Sequence, residues 1–209
     1  MSIKEKKKRL LVAGAIIVAF LCLVGWVVWS LYAADTGLYK PEAIPYEEID
    51  FTTTDYKAME FALNGQVLTF PVTVAEVEAA GYKLDEVYRS EVLPATSGIT
   101  YTTILCSATS DSGHKIKYIA YNLTEESLNV LDCGIETIYA KDESFILCNG
   151  ISISSSYEEV IATMGEPTEY EEDYNSKTLT YKIDDNYSIY IKYLYGNFET
   201  METLMIMDI

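Results

Sequence analysis

The amino-acid sequence predicts an α+β protein: an N-terminal transmembrane helix followed by two small modules, each a short helix packed on an antiparallel sheet. The first observation is a long apolar run without charges near the start of the chain. The second is that a short amphipathic helix pattern followed by alternating strand patterns occurs twice after it. The third is that the two copies share turn residues about 85 positions apart, which indicates an internal duplication.

The apolar run occupies residues 10–34 and follows a basic segment, residues 1–9, with five Lys or Arg and one Glu. A helix of this length, at about 1.5 Å per residue, exceeds the roughly 30 Å hydrocarbon core of a bilayer. Positive flanks remain in the cytoplasm. The sequence therefore predicts a single-pass protein of the cell membrane, with a cytoplasmic N-terminus and an extracytoplasmic C-terminal domain.

A cleaved signal peptide is the alternative for the same segment. Such peptides have an apolar stretch of roughly 7–15 residues and small residues before the cleavage site. Here the run is longer, and Leu31 and Tyr32 occupy the positions before Ala33 and Ala34 where small residues are needed. These features favour an uncleaved anchor.

Residues 35–57 form the next segment and are predicted to be an extracytoplasmic stalk. Pro41 and Pro45 interrupt the segment, and it shows no helical or strand periodicity. Both features are typical of an extended tether.

The first module is predicted over residues 58–140. Asn64-Gly65 supports a tight turn, Thr73 to Glu76 forms a capping-box pattern, and Gly81 is placed to end the helix. Strand patterns follow at residues 99–108, 115–122 and 127–133.

The second module is predicted over residues 141–209 with the same order of signals. Asn149-Gly150 marks the turn, and a capping box starts at Ser155 or Ser156. Gly165 and Pro167 end the helix. Strand patterns follow at residues 177–184, 187–195 and 201–207.

Residues 150–207 resemble the small modules of the β-lactamase-inhibitor-protein type, whose layout also resembles that of small outer-membrane-assembly lipoproteins. The resemblance rests on Gly150, Glu159, Val160, Gly165, Pro167 and Tyr181. The first half matches more loosely, because Tyr82-Lys83 replace the Gly-Pro signals. The resemblance implies protein binding on a sheet surface, and it carries over no catalytic residue. The whole chain also resembles membrane-anchored proteins of Gram-positive bacteria.

The charge distribution excludes some partners. Beyond residue 34 the chain has 10 basic and 31 acidic residues, a net charge near −21. Such a surface repels nucleic acid and anionic lipid headgroups. The sequence therefore predicts no nucleic-acid partner, and only the anchor is expected to contact the membrane.

Residues for catalysis, metal binding or cofactor binding do not form recognisable patterns. His114 is the only histidine and lies in a turn pattern, and no paired Cys or His spacing indicates zinc. The acidic clusters do not follow a calcium-loop spacing, and no glycine-rich phosphate loop is present. The sequence predicts a protein that is not an enzyme, with no cofactor. A carboxylate-dependent cell-wall hydrolase and an accessory subunit of a membrane complex remain the alternatives.

Tyrosine is unusually frequent, with 18 residues, and strand packing explains many of them. Tyrosine is also a common anchor at interfaces. The alternative to ordinary packing is an exposed binding patch on or beside the second strand group, made of Tyr170, Tyr174, Tyr181, Tyr190 and Tyr195. The expected partner is a protein at the cell surface or a cell-wall component.

Three cysteines follow the anchor, so one intramolecular disulfide is possible. Cys133 and Cys148 flank the predicted boundary between modules and are the favoured pair. Buried free thiols, with Cys106 as the third, are the alternative.

Overall fold

The computed structural model of the protein describes residues 43–96, 101–140, 142–194 and 201–208, which belong to one compact unit. The predicted cytoplasmic segment and transmembrane helix lie outside these residues. Within them, every helix is too short or too polar to cross a bilayer. The predicted α+β class with antiparallel sheets is confirmed for this unit.

The described residues of the unit form three short α-helices and thirteen strands, together with 3-10 turns at Tyr46–Glu48, Tyr56–Ala58 and Val130–Asp132. The helices are α1 Val74–Ala79, α2 Glu86–Arg89 and α3 Tyr157–Met164. The strands are β1 Glu60–Leu63, β2 Gln66–Thr69, β3 Tyr82–Leu84, β4 Val92–Leu93, β5 Thr102–Ser110, β6 Lys115–Asn122, β7 Leu128–Asn129, β8 Gly134–Ala140, β9 Phe145–Leu147, β10 Glu169–Glu172, β11 Ser176–Lys182, β12 Tyr187–Leu194 and β13 Met201–Asp208.

The main sheet has eight strands in the order β10-β11-β12-β13-β8-β6-β5-β3, and all neighbours are antiparallel. Each half of the chain contributes four strands in the same order: one short strand after a helix, then a three-stranded meander. The halves meet where Ile138 of β8 lies opposite Ile206 of β13. Strands β8 and β13 are the last meander strands of their halves, and they pair antiparallel. This is the pairing expected when a two-fold axis relates the two halves.

A second sheet repeats this relation on a smaller scale. It has the order β2-β1-β9, with β1 antiparallel to β9. Pairing therefore crosses the predicted boundary at residues 140 and 141 twice, once in each sheet. The segments predicted as two modules, 58–140 and 141–209, share their sheets within one unit.

One main hydrophobic core unites the two halves. Val77 of α1 and Val160 of α3 are fully buried in it, and Phe61 and Phe145 stack with ring centroids 5.1 Å apart. Helices α1 and α3 each bury one side. Because each is only about two turns long, each depends on this packing for its stability. Tertiary packing, rather than helix propensity, thus stabilises α1 and α3.

The predicted helix starts are confirmed. Thr73 and Glu76 form a complete capping box at α1, and Ser156 and Glu159 form the one at α3. Of the two possible starts in the second half, the structure therefore selects Ser156. Each box satisfies two otherwise unpaired N–H groups at a helix N-terminus.

The turn at Gly65 also follows its prediction. Its φ is +82°, a conformation that glycine adopts without strain. A Cβ atom there would lie 2.5 Å from Ile44 Cδ1, so the backbone of this turn packs directly on the segment that precedes the sheet.

One predicted strand of the first half is wrong. Residues 127–133 form only the two-residue β7 and a 3-10 turn, because the Asn129 side chain accepts a hydrogen bond from the N–H of Leu131 and ends the extended conformation. The third meander strand is β8 instead. The short strand β10 was not predicted, because Glu is depleted in strands and its sequence is Glu-Tyr-Glu-Glu.

The predicted stalk needs a correction over its described part. Ile49 is buried, and Ile44, Tyr46 and Phe51 pack with it against the second sheet. The hydroxyl of Tyr46 donates a hydrogen bond of 2.7 Å to the carbonyl of Cys148. Burial of these apolar side chains holds residues 44–51 against the unit, so they do not form an extended tether.

Candidate binding surface

The main sheet has one face in the core and a second face with a different composition. Strand β6 shows the division: Ile116 and Tyr118 are fully buried in the core, whereas Lys115 and Lys117, which alternate with them, are exposed. Successive side chains of a strand point to opposite faces of the sheet, so buried and exposed residues alternate along β6. We call the second face the open face and define it by Lys83, Leu105, Ser107, Thr109, Lys115, Lys117, Ile119, Tyr121, Glu136, Tyr139, Glu169, Glu171, Thr180, Lys182, Tyr190 and Lys192. Thr137, Thr178 and Ser188 lie on the same side of the sheet but are buried.

Strand register places these residues in rows across the sheet. The central row contains Ser107, Lys117, Tyr139, Tyr190 and Thr180, and the row continues through both halves of the chain. Tyr139 and Tyr190 are half-buried and are not members of the core. Two tyrosines from different halves thus occupy the middle of the open face.

An aromatic group lies at one end of this face. The rings of Tyr101 and Tyr121 meet edge to face with centroids 6.1 Å apart, and the Tyr101 hydroxyl donates to Glu136 at 3.1 Å. A Cβ on Gly134 would lie 2.8 Å from Cζ of Tyr121. Glycine at this position therefore lets the Tyr121 ring lie against the backbone of β8. Nearby, Leu105 is 53% exposed.

The five tyrosines of the predicted patch do not share one surface. Tyr190 lies on the open face, with its hydroxyl 3.5 Å from Thr178 Oγ1. Tyr170 lies on edge strand β10, and Tyr174 is 93% exposed in the following turn. Tyr181 is buried at 1% exposure, so its placement in an exposed patch is wrong; its hydroxyl donates to the carbonyl of Gly165 at 2.9 Å. Tyr195 lies outside the described residues.

The tyrosines of the first half were missed by the sequence prediction. Tyr121 lies on β6, whose alternation is regular in the sequence. Tyr139 lies on β8, where the predicted strand was misplaced and the alternation is broken. The prediction considered only tyrosines of the second strand group. A search of both strand groups by alternation would have found Tyr121, whereas no predicted strand contained Tyr139.

His114, the one histidine, lies between β5 and β6, where the turn was predicted, and is buried there. Its imidazole Nδ1 lies 3.3 Å from Oδ1 of Asp142, and its backbone N–H donates to the Ser110 hydroxyl at 3.0 Å. Only 1% of the residue is exposed. A substrate therefore has no access to this imidazole in the observed conformation. Across the described residues, no three His, Cys, Asp or Glu side chains cluster as a metal site.

The three described cysteines are free and buried, so the favoured Cys133–Cys148 disulfide is not formed. Burial raises the pKa of the Cys106 and Cys148 thiols to about 11 from 9.0. Thiols are less reactive than thiolates, so these groups are structural rather than nucleophilic.

The free energy of unfolding is expected to fall between pH 9 and pH 11. Below pH 9 both states hold protonated thiols; above it the unfolded thiols ionise, while those of folded Cys106 and Cys148, with pKa about 11, stay protonated. Because of this difference in protonation, each thiol lowers the free energy of unfolding by about 2 kcal/mol near the upper end of this pH range. Urea unfolding at pH 8 and at about pH 10.5 measures the loss, and an equal free energy at both would contradict it.

Comparison with known families, characterised proteins and solved structures finds no match. Functional inference therefore depends on the geometry and charge of the described residues.

Proposed function

We propose that this protein is a membrane-anchored extracytoplasmic binding module, and that the open face binds its ligand, a protein or a cell-wall component. The observation that carries the proposal is a sheet of eight strands that buries one face and presents tyrosine, aliphatic and lysine side chains on the other. Tyrosine supplies a large contact area at a low cost in conformational entropy and is enriched where interfaces contribute most energy.

Two cavities of the described residues can be compared with the needs of the alternative, a carboxylate-dependent hydrolase. One cavity of about 450 Å³ is lined by residues that include a single carboxylate, Asp85. A second, of about 320 Å³, likewise includes only Glu47. A carboxylate-dependent glycosidase needs two carboxyl groups about 5–10 Å apart around the bond it cleaves. Neither of these two cavities provides that pair.

Tyr190→Ala is expected to weaken ligand capture about tenfold, because a central tyrosine contributes on the order of 1–2 kcal/mol to an interface. The measurement uses a photo-crosslinking amino acid at position 139 of the full chain in native membranes. Its yield is compared with that of the same group at Val87, which is 68% exposed on α2.

Tyr174→Ala is the matched control, because Tyr174 is exposed but off the open face. Tyr181→Ala is unsuitable, since it removes a buried side chain and is expected to destabilise the fold. Equal capture at positions 139 and 87, or full capture by the Tyr190→Ala variant, would contradict the assignment of the open face.

A further inference from the structure

We propose that the partner of the open face is an acidic polypeptide, whose carboxylates contact a lysine corner formed by Lys115 and Lys117. The inference rests on the proposed function and specifies the chemistry of its ligand.

Positive charge is concentrated on the open face. In the described part of the chain, acidic residues outnumber basic ones by more than three to one. Five of its eight basic side chains nevertheless lie on this face, with three glutamates, Glu136, Glu169 and Glu171. The five are Lys83, Lys115, Lys117, Lys182 and Lys192. Two aspartates lie beside these lysines: Asp111 pairs with Lys83, and Asp85 lines the cavity next to Lys115 and Lys117. Positive and negative groups therefore balance on the open face, whereas the rest of the unit is strongly negative.

Lys115 and Lys117 differ from other lysines of this face in their pairing. Lys83 forms an ion pair with Asp111 at 2.7 Å, and Lys182 forms one with Glu169 at 3.0 Å. Among the described residues, Lys115 and Lys117 form no ion pair. They are exposed at alternate positions of one strand, so both ammonium groups rise from the same side of the sheet.

The surroundings of the lysine corner suit a carboxylate. Both lysines line the cavity of about 450 Å³, together with Ser107 and Thr109, which lie opposite them on β5. Asp85 is the one carboxylate in the lining, so the two lysines leave a net positive charge there. Ammonium groups and hydroxyls are donors for a carboxylate. A carboxylate between the two lysines would also relieve their mutual repulsion.

The rest of the face favours a polypeptide as the carrier of that charge. Tyr139, Tyr190 and Ile119 continue from the lysine corner as a half-buried strip, which matches the apolar side chains of a protein better than a polyphosphate. The acidic surface elsewhere repels a negatively charged partner. Such a charge pattern restricts docking to the open face and gives orientation more than affinity.

Fluorescence anisotropy tests the proposal with the full-length chain in phosphatidylcholine nanodiscs. The probe is a short fluorescein-labelled peptide of alternating glutamate and tyrosine. We expect Lys115→Glu/Lys117→Glu to weaken binding at least about tenfold. Raising the salt from about 50 to about 300 mM should weaken binding to the unsubstituted protein more than to this variant, because exposed charges are screened.

Lys57→Glu is the matched control, because Lys57 is an exposed lysine on the 3-10 turn Tyr56–Ala58, away from the open face. It should change binding less than twofold. A Lys57→Glu loss equal to that of the double variant would overturn the lysine corner. Equal competition by inorganic polyphosphate would overturn the polypeptide assignment.

The outcome also separates this inference from the proposed function. If position 139 captures a ligand but the acidic peptide does not bind, the open face is a binding surface for a partner of other chemistry. If neither occurs, both proposals fail. If the Lys115→Glu/Lys117→Glu variant unfolds within a few degrees of the unsubstituted protein, misfolding is not the cause of its weaker binding. The Lys115→Gln/Lys117→Gln variant, which removes the charge without reversing it, is expected to lose less binding.

Discussion

Val160→Asp is expected to abolish cooperative folding of the whole unit, in both halves of the chain. Val160 is completely buried on α3 within a core that continues to Val77 of α1. An aspartate there would bury an unpaired charge, which costs several kcal/mol, or would force α3 off the sheet. Domains of this size have a free energy of unfolding of about 5–15 kcal/mol. A penalty of several kcal/mol, added to the loss of core packing, is therefore expected to unfold the unit.

Ala162→Asp is the matched control, because Ala162 lies on the same helix and is exposed. Its expected cost is below about 1 kcal/mol, a usual value for an exposed helix site. Amide-resolved spectra distinguish the outcomes. Retention of native signals by β5 and β6 in the Val160→Asp variant would show that the first half folds without the second, contrary to a shared core.

The local elements were predictable because their signals are short in sequence. The capping boxes at Thr73 and Ser156 each use a side chain three residues from its partner. The strands β6, β11 and β12 follow alternation that is visible in any window of eight residues. Such features depend on the chain itself and little on distant partners.

The joining of the halves was not predictable in the same way. The contact between β8 and β13 pairs residues about 68 positions apart, and nothing local specifies which strand edge meets which. The packing of Tyr46 and Phe51 has the same origin: an irregular segment gains its structure from the sheet it covers. Prolines near it correctly indicated the lack of helix, but not the contact.

The prediction of one tyrosine patch failed although the strand alternation in the sequence argued against it. Tyr181 alternates in phase with Leu179 and Ile183, on the apolar side of β11, whereas Tyr190 alternates out of phase with Ile189 and Ile191. Grouping tyrosines by nearness in sequence combined opposite faces of one sheet. Alternation assigns each tyrosine to a face, but only the fold shows which face the helices cover.

Phe61→Ala is expected to cost about 3–5 kcal/mol, the usual range for removing a buried phenylalanine. Phe61 is fully buried and lies on β1, and Phe145, on β9, stacks on it from the other half of the chain. The alanine would leave a cavity between the two sheets where the halves meet. Urea unfolding measures the loss, and Tyr174→Ala, at a residue 93% exposed, is the control with an expected change near zero.

The same pair tests whether the halves stabilise one another. Phe145→Ala should cost a similar amount, but the double variant should lose less than the sum of the two, by about 0.5–1.5 kcal/mol, because the first substitution already removes the ring contact. Such coupling would show that Phe61, before the Asn64-Gly65 turn, and Phe145, before the Asn149-Gly150 turn, stabilise one another across the two halves. If the losses of the two single variants add up exactly in the double variant, the two rings stabilise the fold only through their separate burial. The cooperativity of the unit would then have to come from the β8–β13 pairing.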